Sequence, residues 1–211
     1  MVNKLSELSE IAFKYGSDRC PQNGHFYTEY YSNLLKYRRN DIRSVLEIGI
    51  GKGALGLLMW REFFPNAIIC GTDTRGSFLV RRTRILSFYC DQTKKEDLAS
   101  LIGKTGSNID IVIDNGSKRP EDQISTCLTL MPLLKKKVIY AIEGADPSIQ
   151  KQLGNYITDI LSSKKNPDNI VVVRHKKAKT SIIIPIQKEN YSLFPKTVQD
   201  IYIKRQPEIL R

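Results

Sequence analysis

The sequence predicts an α/β chain: an open, mostly parallel sheet with helices on both faces, finished by a C-terminal antiparallel β-hairpin. Three observations carry this. Five apolar runs of strand length alternate with helix-period segments, the order of successive βα units. The first run, Val45-Leu46-Glu47-Ile48, ends in Gly49-Ile50-Gly51-Lys52-Gly53 and leads into Ala54-Leu55-Gly56-Leu57-Leu58-Met59-Trp60, which reads as strand, tight turn and helix. Acids close the five strands at Glu47, Asp73, Asp91, Asp114 and Glu143, and the carboxyl ends of an open parallel sheet face one crevice.

In chain order, Leu5, Leu8, Ile11, Ala12 and Tyr15 recur at helical spacing ahead of Gly16 and predict an amphipathic helix with a glycine stop. A polar turn through Arg19 follows, then a second helix with Tyr27, Tyr30, Tyr31, Leu34 and Leu35 on one face, where tyrosines bury their rings. Ser44 to Ile48 is the first strand, Leu55 to Phe64 its helix, and Ala67 to Asp73 the second strand, whose last carboxylate is placed to accept both hydroxyls of a ribose. Arg81, Arg82 and Arg84 precede a third strand, Leu86 to Cys90, ended by Asp91 with Gln92 beside it, a pair suited to the edge of an adenine. A polar helix from Lys94 to Ile102 leads to the fourth strand, Ile109 to Ile113, and to Asp114-Asn115-Gly116-Ser117. Pro120 opens a helix through Leu134. The fifth strand, Lys137 to Ile142, stops at Glu143, and a further helix is expected from Ser148 to Ser162. Ile170 to Val173 and Ser181 to Ile186 flank Lys176-Lys177-Ala178-Lys179 as a hairpin, and Val198, Ile201 and Tyr202 suffice for one short tail helix. Residues 1–40 read as a helical cap, 41–188 as the core and 189–211 as a tail, in the single domain that 211 residues support.

Composition bounds the partners. The net charge of +11 favours acidic ones such as nucleic acid or phosphorylated substrates, although the charge is spread along the chain. No apolar run reaches membrane-spanning length and the first residues lack a signal-peptide core, so the expectation is a cytoplasmic protein without membrane contact. Cys20, Cys70, Cys90 and Cys127 are far apart and form no Cys-x-x-Cys pair, which argues against a zinc cluster or a redox motif.

The glycine turn points to a ligand. Gly49 and Gly51 let the backbone approach a bound molecule closely, and Glu47 beside them suits a ligand carrying hydroxyls or a positive charge better than a pyrophosphate. That favours S-adenosylmethionine (SAM) over NAD, although Gly49-x-Gly51-x-x-Ala54 with Asp73 also fits the dinucleotide fingerprint. Five βα units closed by a hairpin, with no second mononucleotide half, resemble the Rossmann-like class I SAM-dependent methyltransferase fold.

A narrower likeness lies in Lys14-Tyr15-Gly16-Ser17-Asp18-Arg19, His25-Phe26-Tyr27-Thr28, Val45-Leu46-Glu47-Ile48-Gly49, the segment from Ile113 to Gln123, and Ile142-Glu143. Together these resemble the mycinamicin-type macrolide and sugar O-methyltransferases, within a wider group that includes cephalosporin hydroxylase-like proteins. The resemblance implies SAM as cofactor, a divalent metal, usually magnesium, and methylation of a deoxysugar hydroxyl. By position it implies that Glu47, Gly49 and Gly51 cradle the methionine part, Asp73 the ribose, and Asp91 and Gln92 the adenine, with Ser17 and Asp18 closing the pocket. Asp114 and Glu143 would be metal ligands, with Asn115 offering a carbonyl oxygen where the family carries a second aspartate. Lys118 stands where the family carries its histidine base, His25 is a substitute base, and Gly144 replaces a further acid, with Asp146 two residues on.

These departures leave three readings open: a weakened metal site, a metal-free transferase that uses Lys118, or a SAM-binding protein that has lost its chemistry. The expected partner is a small-molecule hydroxyl acceptor, and the expected assembly a homo-oligomer. An RNA ribose 2'-O-methyltransferase is the alternative enzyme, with Lys14 and Asp114 in place but Glu143 where that chemistry wants a lysine.

Overall fold

The structure is a computed structural model that describes residues 5–25, 27–134 and 138–144, together with the backbone of 169–175 and 180–186. Its helices are α1 (Glu7–Lys14), α2 (Tyr27–Leu35), α3 (Leu55–Phe63), α4 (Lys95–Thr105) and α5 (Pro120–Leu130). Its strands are β1 (Ser44–Ile48), β2 (Ile68–Asp73), β3 (Arg81–Arg82), β4 (Ile85–Tyr89), β5 (Ile111–Asp114), β6 (Ile139–Glu143), β7 (Asn169–His175) and β8 (Thr180–Ile186). They form one sheet in the order β3-β4-β2-β1-β5-β6-β8-β7. The five central strands from β4 to β6 are parallel, and β3, β8 and β7 each run antiparallel to the neighbour they join.

The expected parallel sheet and terminal hairpin are present. The edge strand β3 is an addition: Arg81 and Arg82 pair back on β4 across a turn in which Arg84 takes φ 60°. The helix expected from Ser148 to Ser162, the turn at 176–179, Asp146 and the tail helix lie outside the described residues.

Strand periodicity builds two cores. Val45, Ile69, Ile111, Ile113, Ile139 and Ala141 face α1, α2 and α3, packing with Leu8, Tyr31, Leu57, Trp60 and Phe63. Leu46, Cys70, Val112, Tyr140 and Ile142 face the opposite layer, packing with Leu98, Leu101, Ile124, Cys127 and Leu130 of α4 and α5. Helix α3 shows what drives the layers together. It has nine residues and no side-chain cap, and is too short to persist alone in water. Leu57, Trp60 and Phe63 are almost wholly buried, at about 2 kcal/mol each, so packing rather than propensity holds it. The chain moves outward from β1 through β2 to β4, then returns to the other side of β1 as β5. Such a reversal opens a crevice at the carboxyl ends of the strands.

The glycine turn sits at that opening. Gly49 has φ +79°, and a Cβ there would collide with the backbone of Gly116 and Asn115, at 2.7 Å from the Gly116 nitrogen and 2.8 Å from the Asn115 oxygen. Gly51, at φ 65° and ψ 179°, has open space around it. Gly49→Ala is expected to destabilise the protein by about 4 kcal/mol and Gly51→Ala by about 2 kcal/mol, the difference being the steric contact. Urea denaturation measures both, and equal losses would show that β1 and β5 do not meet closely at Gly49.

Candidate functional site

A crevice of about 710 Å³ opens at the carboxyl ends of β1, β2, β4 and β5, a volume within the range of small-molecule sites. Ser17, Asp18, Gly49, Gly51, Asp73, Asp91 and Gln92 line it, along with Asn115 and Lys118. The glycine turn is held by its neighbours: the Gly49 and Ile50 amides donate to the Thr72 carbonyl at 2.8 and 3.0 Å, and the Gly51 amide donates to Asp73 Oδ2 at 3.1 Å. Asp73 Oδ1 accepts from the Arg75 amide at 2.9 Å, so the carboxylate is fixed at the strand end while remaining partly accessible. Asp91 accepts from the Thr93 hydroxyl and amide, which lower its pKa and keep it ionised at the wall. Thr72 is fully buried, and its hydroxyl has no hydrogen-bond partner among the described residues.

Glu47 is not on the wall. Its place in β1 turns its side chain toward the same layer as Val45, where it is fully buried and accepts from Arg19 Nη2 at 2.8 Å and Trp60 Nε1 at 2.9 Å. Glu143 faces the same way from the end of β6. Arg19 Nε donates to both of its oxygens at 3.0 and 2.8 Å, and the Tyr31 hydroxyl donates at 3.0 Å. One buried guanidinium thus joins two buried carboxylates. Burial works against its charge, but Glu143 and Glu47 outweigh that and hold the Arg19 pKa above its ordinary range. Burial pushes the Glu47 pKa up, with Arg19 pulling it down. No role falls to Arg19 in the reading of the motif above, although a signal exists: an acid inside a buried strand requires a partner of opposite charge.

Asp114 points to the other side of the sheet, as its register one residue after Ile113 dictates. It is fully buried and absent from the crevice lining. Gln92 Nε2 donates to its two oxygens at 3.2 and 3.3 Å and the Gly116 amide donates at 3.2 Å. Gln92 Oε1 in turn accepts from the Ser117 amide at 2.6 Å, so this amide is spent on building the wall. Burial raises the Asp114 pKa to about 7, against the pull of those donors.

Of the three catalytic candidates, Lys118 alone lines the crevice. Its Nζ donates to Asn115 Oδ1 at 2.6 Å, to the Asn115 carbonyl at 3.3 Å and to the Glu143 carbonyl at 3.4 Å. The protein packed around the ammonium lowers its pKa, opposed by Glu143 and Asp114. His25 is outside the lining, stacked on Tyr27 and 3.9 Å from Asp18. The expected metal set is therefore divided: Asp114 lies on one face of the sheet, Glu143 is held by Arg19 on the other, and Asn115 faces Lys118. No group of three or more His, Cys, Asp or Glu residues among the described residues is arranged to hold an ion. No described helix is long and apolar enough to cross a membrane.

No protein-family model matches the chain. The 8-demethyl-8-α-L-rhamnosyl tetracenomycin-C 2'-O-methyltransferase of Streptomyces olivaceus is 30% identical over 147 residues, covering 67% of this chain and 38% of that protein. The mycinamicin VI 2''-O-methyltransferase of Micromonospora griseorubida is 32% identical over 149 residues, covering 67% and 36%. The chain thus spans a little over a third of the length of these relatives. Among solved structures, the MycE methyltransferase of the mycinamycin pathway, in complex with Mg, S-adenosylhomocysteine (SAH) and mycinamycin VI, superposes with a TM-score of 0.72 at 26% identity, over 86% of this chain and 55% of that one. The fold is that of the class I SAM-dependent methyltransferases. Within that class, the chain resembles the mycinamicin-type sugar O-methyltransferases in both sequence and structure.

Asp114 supplies a test of the crevice wall. Its raised pKa means that the folded chain binds this proton more tightly than the unfolded chain. Its stabilising effect is therefore full below the ordinary value of 3.8 and is lost as pH rises through about 7. Wild type should lose stability relative to Asp114→Asn across that window, by at most about 4 kcal/mol. Denaturation midpoints at stepped pH measure this, and a constant difference would mean that Asp114 is solvated.

Proposed function

We propose that the protein is a SAM-dependent O-methyltransferase acting on a hydroxyl of a sugar-bearing or other small molecule in the cytoplasm. The observation that carries this reading is the crevice itself, where a glycine turn, a fixed Asp73 and an ionised Asp91 stand along one wall, with Lys118 at its far end. Relatives named as O-methyltransferases of a rhamnosyl tetracenomycin and of mycinamicin VI support the choice of acceptor class.

The residues present suit the donor. Gly49 and Gly51 keep side chains away from the turn, so the backbone can lie against the methionine part. Asp73 accepts from ribose hydroxyls and Asp91 reaches the adenine edge. Ser17 and Asp18 close the crevice from the N-terminal side, which gives residues 1–40 the role of a cap. When bound, SAM supplies a sulfonium methyl that passes to the acceptor oxygen, the C–S electrons returning to sulfur and the hydroxyl proton leaving to solvent. Lys118 counters the charge that gathers at that oxygen, a contribution that depends on its being fixed in advance by Asn115.

Isothermal titration with SAM and SAH tests the donor half. Both should bind, and Asp73→Ala should weaken binding about 10- to 100-fold, the loss of charge-assisted hydrogen bonds. The absence of binding heat with either ligand would overturn the reading. Transfer of radiolabelled methyl to 6-deoxyhexose glycosides tests the acceptor half.

A further inference from the structure

We propose that the acceptor end of this crevice works without a divalent ion, its electrostatic role taken by a cation of the chain itself, Lys118. The inference rests on the methyl-transfer reading and deepens it by replacing the metal that the family likeness implies.

Three observations carry it. The first is strand parity. Asp114 belongs to the α4–α5 side of the sheet and Glu143 to the α1–α3 side, and each is committed to its own partners there. A small hard cation needs several oxygens within one coordination sphere, which these two carboxylates do not provide. The second is the occupancy of Glu143. Both of its oxygens take the Arg19 Nε and one also takes the Tyr31 hydroxyl, so a metal would have to displace a guanidinium that is itself buried and bound to Glu47. Stranding a buried charge in this way is strongly unfavourable.

The third is the position of Lys118. Its Nζ lies among Asn115 Oδ1, the Asn115 carbonyl and the Glu143 carbonyl, three neutral oxygens gathered about one cationic head. Gly144 adds no side-chain oxygen, and the lysine stem lies across it, so that a Cβ there would touch Lys118 Cδ at 3.4 Å. The Asn115 and Glu143 oxygens at this end of the crevice are thus already arranged around an ammonium. A divalent ion brought to them would meet a like charge at contact distance.

The test is a titration of the full chain with manganese, followed by the electron paramagnetic resonance of the free ion, with and without SAH. Wild type should show no stoichiometric site at millimolar manganese, and its SAH affinity should be unchanged by EDTA or by added magnesium. The double variant Asn115→Asp/Lys118→Ala keeps Arg19 in place, restores a carboxylate and removes the ammonium. It should bind manganese at least about tenfold more tightly than wild type. A saturable manganese site in wild type that disappears in Glu143→Gln would overturn the proposal, as would a double variant that gains no affinity. Failure of SAH to bind at all would instead count against the methyl-donor reading, while the manganese titration would still report on the metal.

Discussion

The Arg19 guanidinium is the contact on which the site's architecture depends. It leaves the turn after α1, passes beneath the crevice and ends between Glu47 of β1 and Glu143 of β6, strands separated in the sheet by β5. Each carboxylate is almost wholly buried and would be costly there alone, and the arginine would be equally costly without them. Such a triad adds little net stability compared with an apolar filling of the same volume, but it specifies position. The bridge holds the segment after α1 against the sheet, with Ser17 and Asp18 at the crevice rim.

Neighbouring residues are shaped by this contact. A Cβ on Gly56 would come within 2.6 Å of the Glu47 carboxylate oxygens, so the first turn of α3 must carry a glycine for the ion pair to fit. Trp60 from the same helix donates its indole N–H to Glu47, and Tyr31 from α2 packs edge-on against Trp60 while donating to Glu143. The aromatic stripe on α2 thereby serves core packing and polar satisfaction at once. The consequence for function is a division of labour between the two faces of the sheet. Glu47 and Glu143 tie down the segment after α1 on one side, while Asp114, Gln92 and Ser117 stiffen the wall on the other, which leaves Gly49, Gly51, Asp73 and Asp91 along the crevice.

Much of this was legible in the chain. Strand periodicity and the glycine turn were enough to place the parallel sheet and the crevice at its carboxyl ends, because those signals are local and repeat with the period of the element. The functions of individual acids were less accessible. Strand-terminal carboxylates look alike in a sequence, yet Asp73 lines the crevice while Glu47 and Glu143 are consumed inside the protein. What separates them is the partner each meets in space. Arg19, distant from Glu143 in sequence, carries no local mark of that contact. The parity of β5 and β6 was available in principle, since alternation in the Ile111–Asp114 and Ile139–Glu143 strands sends the two terminal acids to opposite faces. The short edge strand at Arg81–Arg82 escaped notice because two exposed arginines give no periodic signal.

The most direct test of the account is a double-mutant cycle between Arg19→Met and Glu143→Gln, read by urea denaturation. Arg19→Met leaves Glu143 and Glu47 buried without their guanidinium, Glu143→Gln removes one of the two carboxylates that Arg19 serves, and the pair leaves Glu47 alone uncompensated. The account predicts that Arg19→Met costs about 3 kcal/mol or more and that Glu143→Gln costs less in the Arg19→Met background than in wild type, a coupling of about 2 kcal/mol. Additive losses would mean that the guanidinium and the carboxylate do not depend on one another, and would contradict the docking of the segment after α1 against Glu143.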